Sequence, residues 1–301
     1  MDLRTARIYP VAPYNFSQVL ESLRAFPVVR NDQNINGRQL TKAFRLEGKT
    51  YAMQLRSKGS EEKPELLCTI ISENKMDEHE LENAQRSIRF FLGVDENREP
   101  FFKLTEADPQ FRSEAEGFRG LPLIRFIHLF EATFWALVRS RYSPDEIAGI
   151  KKQLQQRLGA IININGVIYR AFPEPTDLLT LRPEEQERAL PHDKLRRQMV
   201  ATARKLQSAD KYNLRSQDYE EIKAWLQDFP GIDEKGAIYI LTHGVGRTEQ
   251  IDYRSTRLTK AVARIYGDHF RIDLDKIREL AEPYGPWKGY WAYYLKQLDR
   301  S

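Results

Sequence analysis

Residues 216–258 read SQDYEEIKAWLQDFPGIDEKGAIYILTHGVGRTEQIDYRSTRL, and this stretch decides the fold. Tyr219, Ile222, Trp225 and Leu226 recur at helical spacing. Pro230 and Gly231 stop that helix and reverse the chain. Ala237, Ile238, Ile240 and Leu241 resume a helical period, and Gly244 or Gly246 supplies the C-terminal stop. The second helix is predicted to begin at Glu234 or Lys235, so its first amides lack partners inside the helix. Such amides make a site for an anion such as a phosphate. The same residues equally describe a plain helical hairpin with a Pro-Gly corner, and spacing alone does not choose between the two.

The chain has 301 residues, enough for two or three domains and a sizeable core. A formal net charge of +4 permits a nucleic-acid partner without demanding one. The single cysteine, Cys68, excludes an internal disulfide and any cysteine-based metal or iron–sulfur site. It lies in an apolar, strand-like run and reads as a buried structural thiol. No apolar run reaches membrane-spanning length, and Met1-Asp2-Leu3-Arg4 opens no signal-peptide core, so a soluble protein of a reducing compartment is expected.

Residues 1–95 read as a β-rich domain. A short helix carries Val19, Leu20 and Leu23. Leu40–Leu46 alternates into Glu47-Gly48-Lys49, a hairpin signal, followed by Thr50–Leu55 and Glu65–Ile71. From residue 96 to 301 everything reads as helices and loops, with a helix-hairpin-helix at 217–246 and C-terminal helices over 255–298 packing with 96–125. The whole is mainly α, α+β overall. Lys194, Arg196, Arg197, Arg204 and Lys205 make a basic run that is either a solvated helix face or a contact to a phosphate backbone.

Phe229-Pro230-Gly231-Ile232, then Lys235 and Ala237, then Asp252 after a short loop, resembles the helix-hairpin-helix DNA glycosylases with a Gly/Pro-rich loop and an aspartate. The resemblance covers nearly the whole chain. The Tyr14-Asn15-Phe16 opening, the Phe130-Glu131-Ala132 helix, the Phe172-Pro173-Glu174-Pro175 loop and Pro286-Trp287-Lys288 are similar to the DNA-3-methyladenine glycosylase II group. It implies base-excision repair of duplex DNA by a monomeric cytoplasmic enzyme, held with the chromosome in the nucleoid. It implies no cofactor beyond a monovalent cation on hairpin backbone carbonyls.

Residue by residue, the resemblance implies that Pro230, Gly231, Ile232 and Lys235 contact DNA. Arg141, with Tyr142 beside it, would plug the gap left by a flipped base. Asp252 would stabilise the sugar cation; its plainer reading is a helix N-cap. Tyr239, Tyr253 and Trp287 would line the pocket of an alkylated, cationic purine, since electron-rich rings attract such bases. Lys235 stands where bifunctional relatives acting on oxidised purines such as 8-oxoguanine carry their Schiff-base amine. Two tryptophan positions of the alkylpurine group fall on Lys235 and Lys296, and the glutamine that reads 8-oxoguanine falls on Ala292. Asp233-Glu234 replaces the second glycine of the usual hairpin and should repel phosphate. That departure keeps a second expectation open, a lesion-binding protein without turnover.

Overall fold

The computed structural model describes residues 1–25, 33–267 and 272–298. A five-stranded antiparallel sheet comes first, with β1 (Asp2–Ile8), helix α1 (Phe16–Arg24), β2 (Gln33–Asn36), β3 (Gln39–Leu46), β4 (Lys49–Ser57) and β5 (Leu66–Ser72). The strand order is β1-β5-β4-β3-β2. The Glu47-Gly48 turn sets the register Leu46↔Lys49 through Gln39↔Arg56. Both turn amides donate to the Glu174 carboxylate, at 2.9 and 2.7 Å, which ties the hairpin to the helical part of the chain.

Helices follow: α2 (Glu78–Leu92), α3 (Glu99–Thr105), α4 (Pro109–Glu116), α5 (Leu129–Val138) and α6 (Pro144–Leu158). A second, two-stranded sheet, β6 (Ile161–Ile164) and β7 (Val167–Arg170), comes next. This corrects the expectation of helices and loops only. The alternation in Ile-Ile-Asn-Ile-Asn-Gly-Val carried the signal, with Asn-Gly as the turn. Ile162, Ile164 and Tyr169 cover Ala43, Ala52 and Ile71 on the large sheet. With a second layer over it, β3 is buried almost continuously instead of at every other residue.

The remaining helices are α7 (Pro175–Leu179), α8 (Pro183–Ala189), α9 (Asp193–Leu206), α10 (Lys211–Leu214), α11 (Tyr219–Gln227), α12 (Glu234–Ile240), α13 (Thr256–Tyr266), α14 (Leu274–Ala281) and α15 (Lys288–Leu298). Their caps are written in the sequence. Asp77 and Ser143 each form a capping box, and Asp218, Asp233, Ser255 and Asp273 accept first-turn amides. None of the described helices is long and apolar enough to cross a membrane.

Two cores result. The first runs across residue 95, joining the sheet and α1–α4 to α13–α15. At its centre Phe101 packs within 6.5 Å, ring to ring, of Phe111, Tyr284, Tyr290 and Tyr294. Asp108 anchors it, accepting from Tyr266 Oη at 2.6 Å and Tyr284 Oη at 2.8 Å. Cys68 is buried there, and burial pushes its thiol up to about 12, so it is inert. The second core packs α5, α6, α9, α11 and α12. Inside it Lys151 and Glu131 form an ion pair at 3.0 Å, with 1% and 3% of their side chains exposed.

Breaking a buried pair strands one charge. Lys151→Met should therefore cost about 3–5 kcal/mol of stability. The double variant Lys151→Met/Glu131→Gln should recover much of that loss, with urea midpoints near neutral pH as the readout.

Candidate active site

The hairpin forms as the sequence predicts. Asp218 caps α11 through the amides of Glu220 and Glu221, and the chain reverses at Pro230-Gly231. Gly231 has φ +87°, and a Cβ there would lie 1.9 Å from Gln198 Nε2. Pro230 and Gly231 are exposed, whereas the Ile232 side chain is buried in the second core. Asp233 Oδ1 accepts from Gly236 N at 2.8 Å. The acid that replaces glycine thus occupies one of the amides a phosphate would use. After α12 the helix widens into a π-type turn, Leu241–Val245, and ends at Gly246. Gly246 has φ +81°, and a Cβ there would meet Arg125 Nε at 2.8 Å.

The loop from Arg247 to Ser255 is pinned at several points. Arg247 donates to the carbonyls of Arg215 and Gln217 at 3.1 and 2.8 Å. Thr248 Oγ1 donates to Pro286 O at 2.9 Å, and Gly289 N donates to Thr248 O at 2.8 Å. Lys223 Nζ donates to Gln250 Oε1 at 3.0 Å. These contacts fix Asp252, which accepts from Arg254 N through Oδ1 at 3.1 Å. The N-cap of α13 is Ser255, accepting from Leu258 N, so the plainer reading of Asp252 does not hold.

Asp252 and Lys235 line the same cavity, of about 380 Å³, which opens between the two cores. That volume is in the range of small-molecule sites. Tyr239, Phe126 and Trp135 form an aromatic side, while Gly289, Ala292, Tyr293 and Lys296 present one face of α15. The Arg139 guanidinium lies 4.2 Å from the Tyr239 ring centroid, and His243 packs 4.7 Å away. Burial pulls His243 down to about 3, so it is neutral near pH 7. Burial, then repulsion from Arg139, brings the Lys296 amine down to about 8, with Asp252 opposing the shift.

Two expected pocket residues lie elsewhere. Tyr253 packs against the first core, with the Arg278 guanidinium 5.8 Å from its ring. Trp287 stacks near Tyr290 and Phe101, at 5.5 and 6.4 Å. Neither lines the cavity. Arg141 is engaged by the hairpin itself, with Nη1 donating to Gln198 Oε1 at 2.6 Å and Nη2 to Gly231 O at 2.8 Å. Tyr142 packs edge-on to His192 at 5.3 Å. The exposed Lys194, Arg197 and Arg204 of α9 share that helix with Gln198, and Lys205 Nζ donates to Asp228 O at 3.0 Å. The basic run therefore borders the hairpin. Among the described residues no His/Cys/Asp/Glu group could hold a metal ion. Sequence reasoning missed Arg139 and Trp135, placed on the cavity by the packing of α5 on α12, and Phe126, held there by its amide on His243 O.

Hairpin, pinned aspartate loop and intervening cavity sit in a fold that the chain shares with solved DNA glycosylases. No family model matches the chain. The DNA-3-methyladenine glycosylase of Bacillus subtilis (strain 168) is 23% identical to it over 216 residues, 71% of either chain. The 3-methyladenine DNA-glycosylase of Archaeoglobus fulgidus matches with a TM-score of 0.78 at 21% identity, over 98% of both chains. The 8-oxoguanine glycosylase/lyase of Clostridium acetobutylicum, in complex with double-stranded DNA containing cytosine opposite 8-oxoG, matches with a TM-score of 0.70 at 16% identity, over 100% and 99%.

Asp233→Ser keeps an N-cap and removes a negative charge from the start of α12, where the resemblance implies a phosphate contact. It should tighten duplex binding about two- to fivefold, the effect of removing roughly 0.5–1 kcal/mol of repulsion. A salt titration of fluorescence anisotropy measures it.

Proposed function

We propose that the chain is a DNA glycosylase of base-excision repair. It flips a damaged purine out of duplex DNA into the cavity and breaks its N-glycosidic bond. The observation that carries this reading is the meeting of Asp252 and Lys235 on one cavity, from the loop and the hairpin helix. Cleavage builds positive charge on the sugar, and the Asp252 carboxylate stabilises it. In this reading Pro230, Gly231 and the basic face of α9 hold the phosphate backbone, and Arg141 with Tyr142 fills the gap left by the flipped base, Arg141 giving up its contacts to Gln198 and Gly231.

Charge bears on the lesion class. Arg139, Lys235 and Lys296 outnumber Asp252 around the cavity, and the guanidinium of Arg139 already sits by the Tyr239 ring. A cationic alkylated base meets repulsion there, and the ring expected to stack on it is engaged. A neutral damaged purine, oxidised or deaminated, meets neither obstacle. That Lys235 and Asp252 line one cavity supports the bifunctional reading, in which the Lys235 amine attacks the sugar carbon, forms a Schiff base and nicks the strand.

A gel assay on duplexes carrying hypoxanthine, 8-oxoguanine or an alkylated purine tests this, run with alkali, without alkali and with borohydride. Asp252→Asn should lower single-turnover cleavage by about 100-fold or more, as loss of one charge-stabilising group does, while binding stays intact. Lys235→Gln should abolish the borohydride-trapped adduct. A trapped adduct that survives in Lys235→Gln removes the lyase role, and no cleavage of any lesion removes the enzyme.

A further inference from the structure

Besides Lys235 two further amines line the cavity, Lys42 and Lys296. Lys296 stands on the face of α15 that also presents Gly289, Ala292 and Tyr293, at helical spacing. Gly289 and Ala292 leave room beside it, and a long side chain one and two turns further along reaches into that room. Its helix is held in place here, since Arg257 Nη2 donates to Lys296 O at 2.6 Å. The charged groups around the amine come from every wall. Arg139 stands at the end of α5, and Asp252 and Arg257 come from the loop and start of α13. Lys235 and the neutral His243 come from the hairpin helix and its π-type turn, and Lys42 of β3, Arg125 of the segment 121–127 and Glu131 of α5 line the cavity as well.

Breaking the bond to a neutral purine leaves a poor leaving group unless a proton arrives on the base. A cationic alkylated purine leaves as a neutral molecule and needs none. In the glycosylase reading Asp252 serves the sugar, so the proton for the base is left to another group lining the cavity.

We infer that Lys296 is the general acid that protonates the departing base, a role that rests on the glycosylase reading above. As the N-glycosidic bond breaks, its electron pair goes to the base. Lys296 Nζ gives a proton to a base nitrogen or oxygen, and the base leaves neutral. The sugar cation takes water or the Lys235 amine, whose proton passes to Asp252, and Lys296 regains its proton from solvent. An amine brought down to about 8 by burial and by Arg139 is still mostly protonated near pH 7, and is a stronger acid than an ordinary lysine. The acid must carry its proton, so activity on a neutral base should fall as pH rises through about 8.

The test compares wild type, Lys296→Met and Lys296→Arg in single-turnover release of a neutral base (hypoxanthine or 8-oxoguanine) and a cationic one (7-methylguanine), from neutral to alkaline pH. Lys296→Met should lower the neutral-to-cationic rate ratio on the order of a hundredfold, the contribution of a positioned acid. The alkaline limb of the neutral-base profile should disappear. Lys296→Arg keeps the charge and the fold but holds its proton too tightly, so it should share the loss and also lack the limb. If only the neutral base is released by wild type, the limb alone decides. An unchanged ratio and limb in both variants overturns the role of Lys296, as does a wild type that releases only 7-methylguanine. Release of neither base by wild type instead removes the glycosylase reading on which it rests.

Discussion

Arg125 is the residue on which the architecture turns. Its side chain is 3% exposed, and a buried guanidinium is tolerable only when neutralised and hydrogen-bonded. Glu96 supplies the charge and also accepts from Tyr290 Oη, whose oxygen in turn accepts from Leu123 N at 3.2 Å. The guanidinium faces the Phe90 ring at 5.1 Å and fills the space left open at Gly246. One buried charge thereby ties the end of α2, the segment 121–127, the turn after the hairpin and α15. Phe126 N donating to His243 O at 2.7 Å completes that seam. The cavity opens along it because two cores meet there without merging.

The seam also explains the electrostatics of the site. Basic groups gather from elements that are far apart in sequence, and the acids that offset some of them, Glu96 and Glu131, are committed to ion pairs. Asp252 is left as the acid of the pinned loop facing the cavity. A carboxylate among amines and a guanidinium in a partly desolvated space suits a reaction that builds positive charge at one carbon and negative charge on a leaving base. An alkylpurine pocket was the expectation drawn from the tyrosines, and of these Tyr239 lines the cavity while Tyr253 does not.

The hairpin shows a local compromise. A glycine at residue 233 would leave the helix N-terminus open to phosphate, whereas aspartate closes α12 by its own side chain. Arg141, reaching Gly231 O from the end of α5, brings a positive charge to the turn that the acid makes negative. The two residues are far apart in the chain and act on the same few ångströms of backbone.

What the sequence determined by itself was local. The caps, the Pro-Gly reversal, the Glu47-Gly48 hairpin and the period of α11 and α12 depend on neighbours within a few residues, so they could be read directly. So could the fact that Asp252 follows the hairpin in a short loop. The Asn165-Gly166 turn was equally local and went unread only because helices dominate its surroundings. Only the tertiary structure decided which side chains reach the cavity. Tyr239 and Tyr253 are alike as sequence, yet one faces the cavity and the other the core, because each is oriented by the crossing of helices and the pinning of a loop by distant partners. Arg139, Arg141 and Lys296 each look like a solvated charge in the chain. Their roles arise from what stands opposite them, and long-range packing sets that.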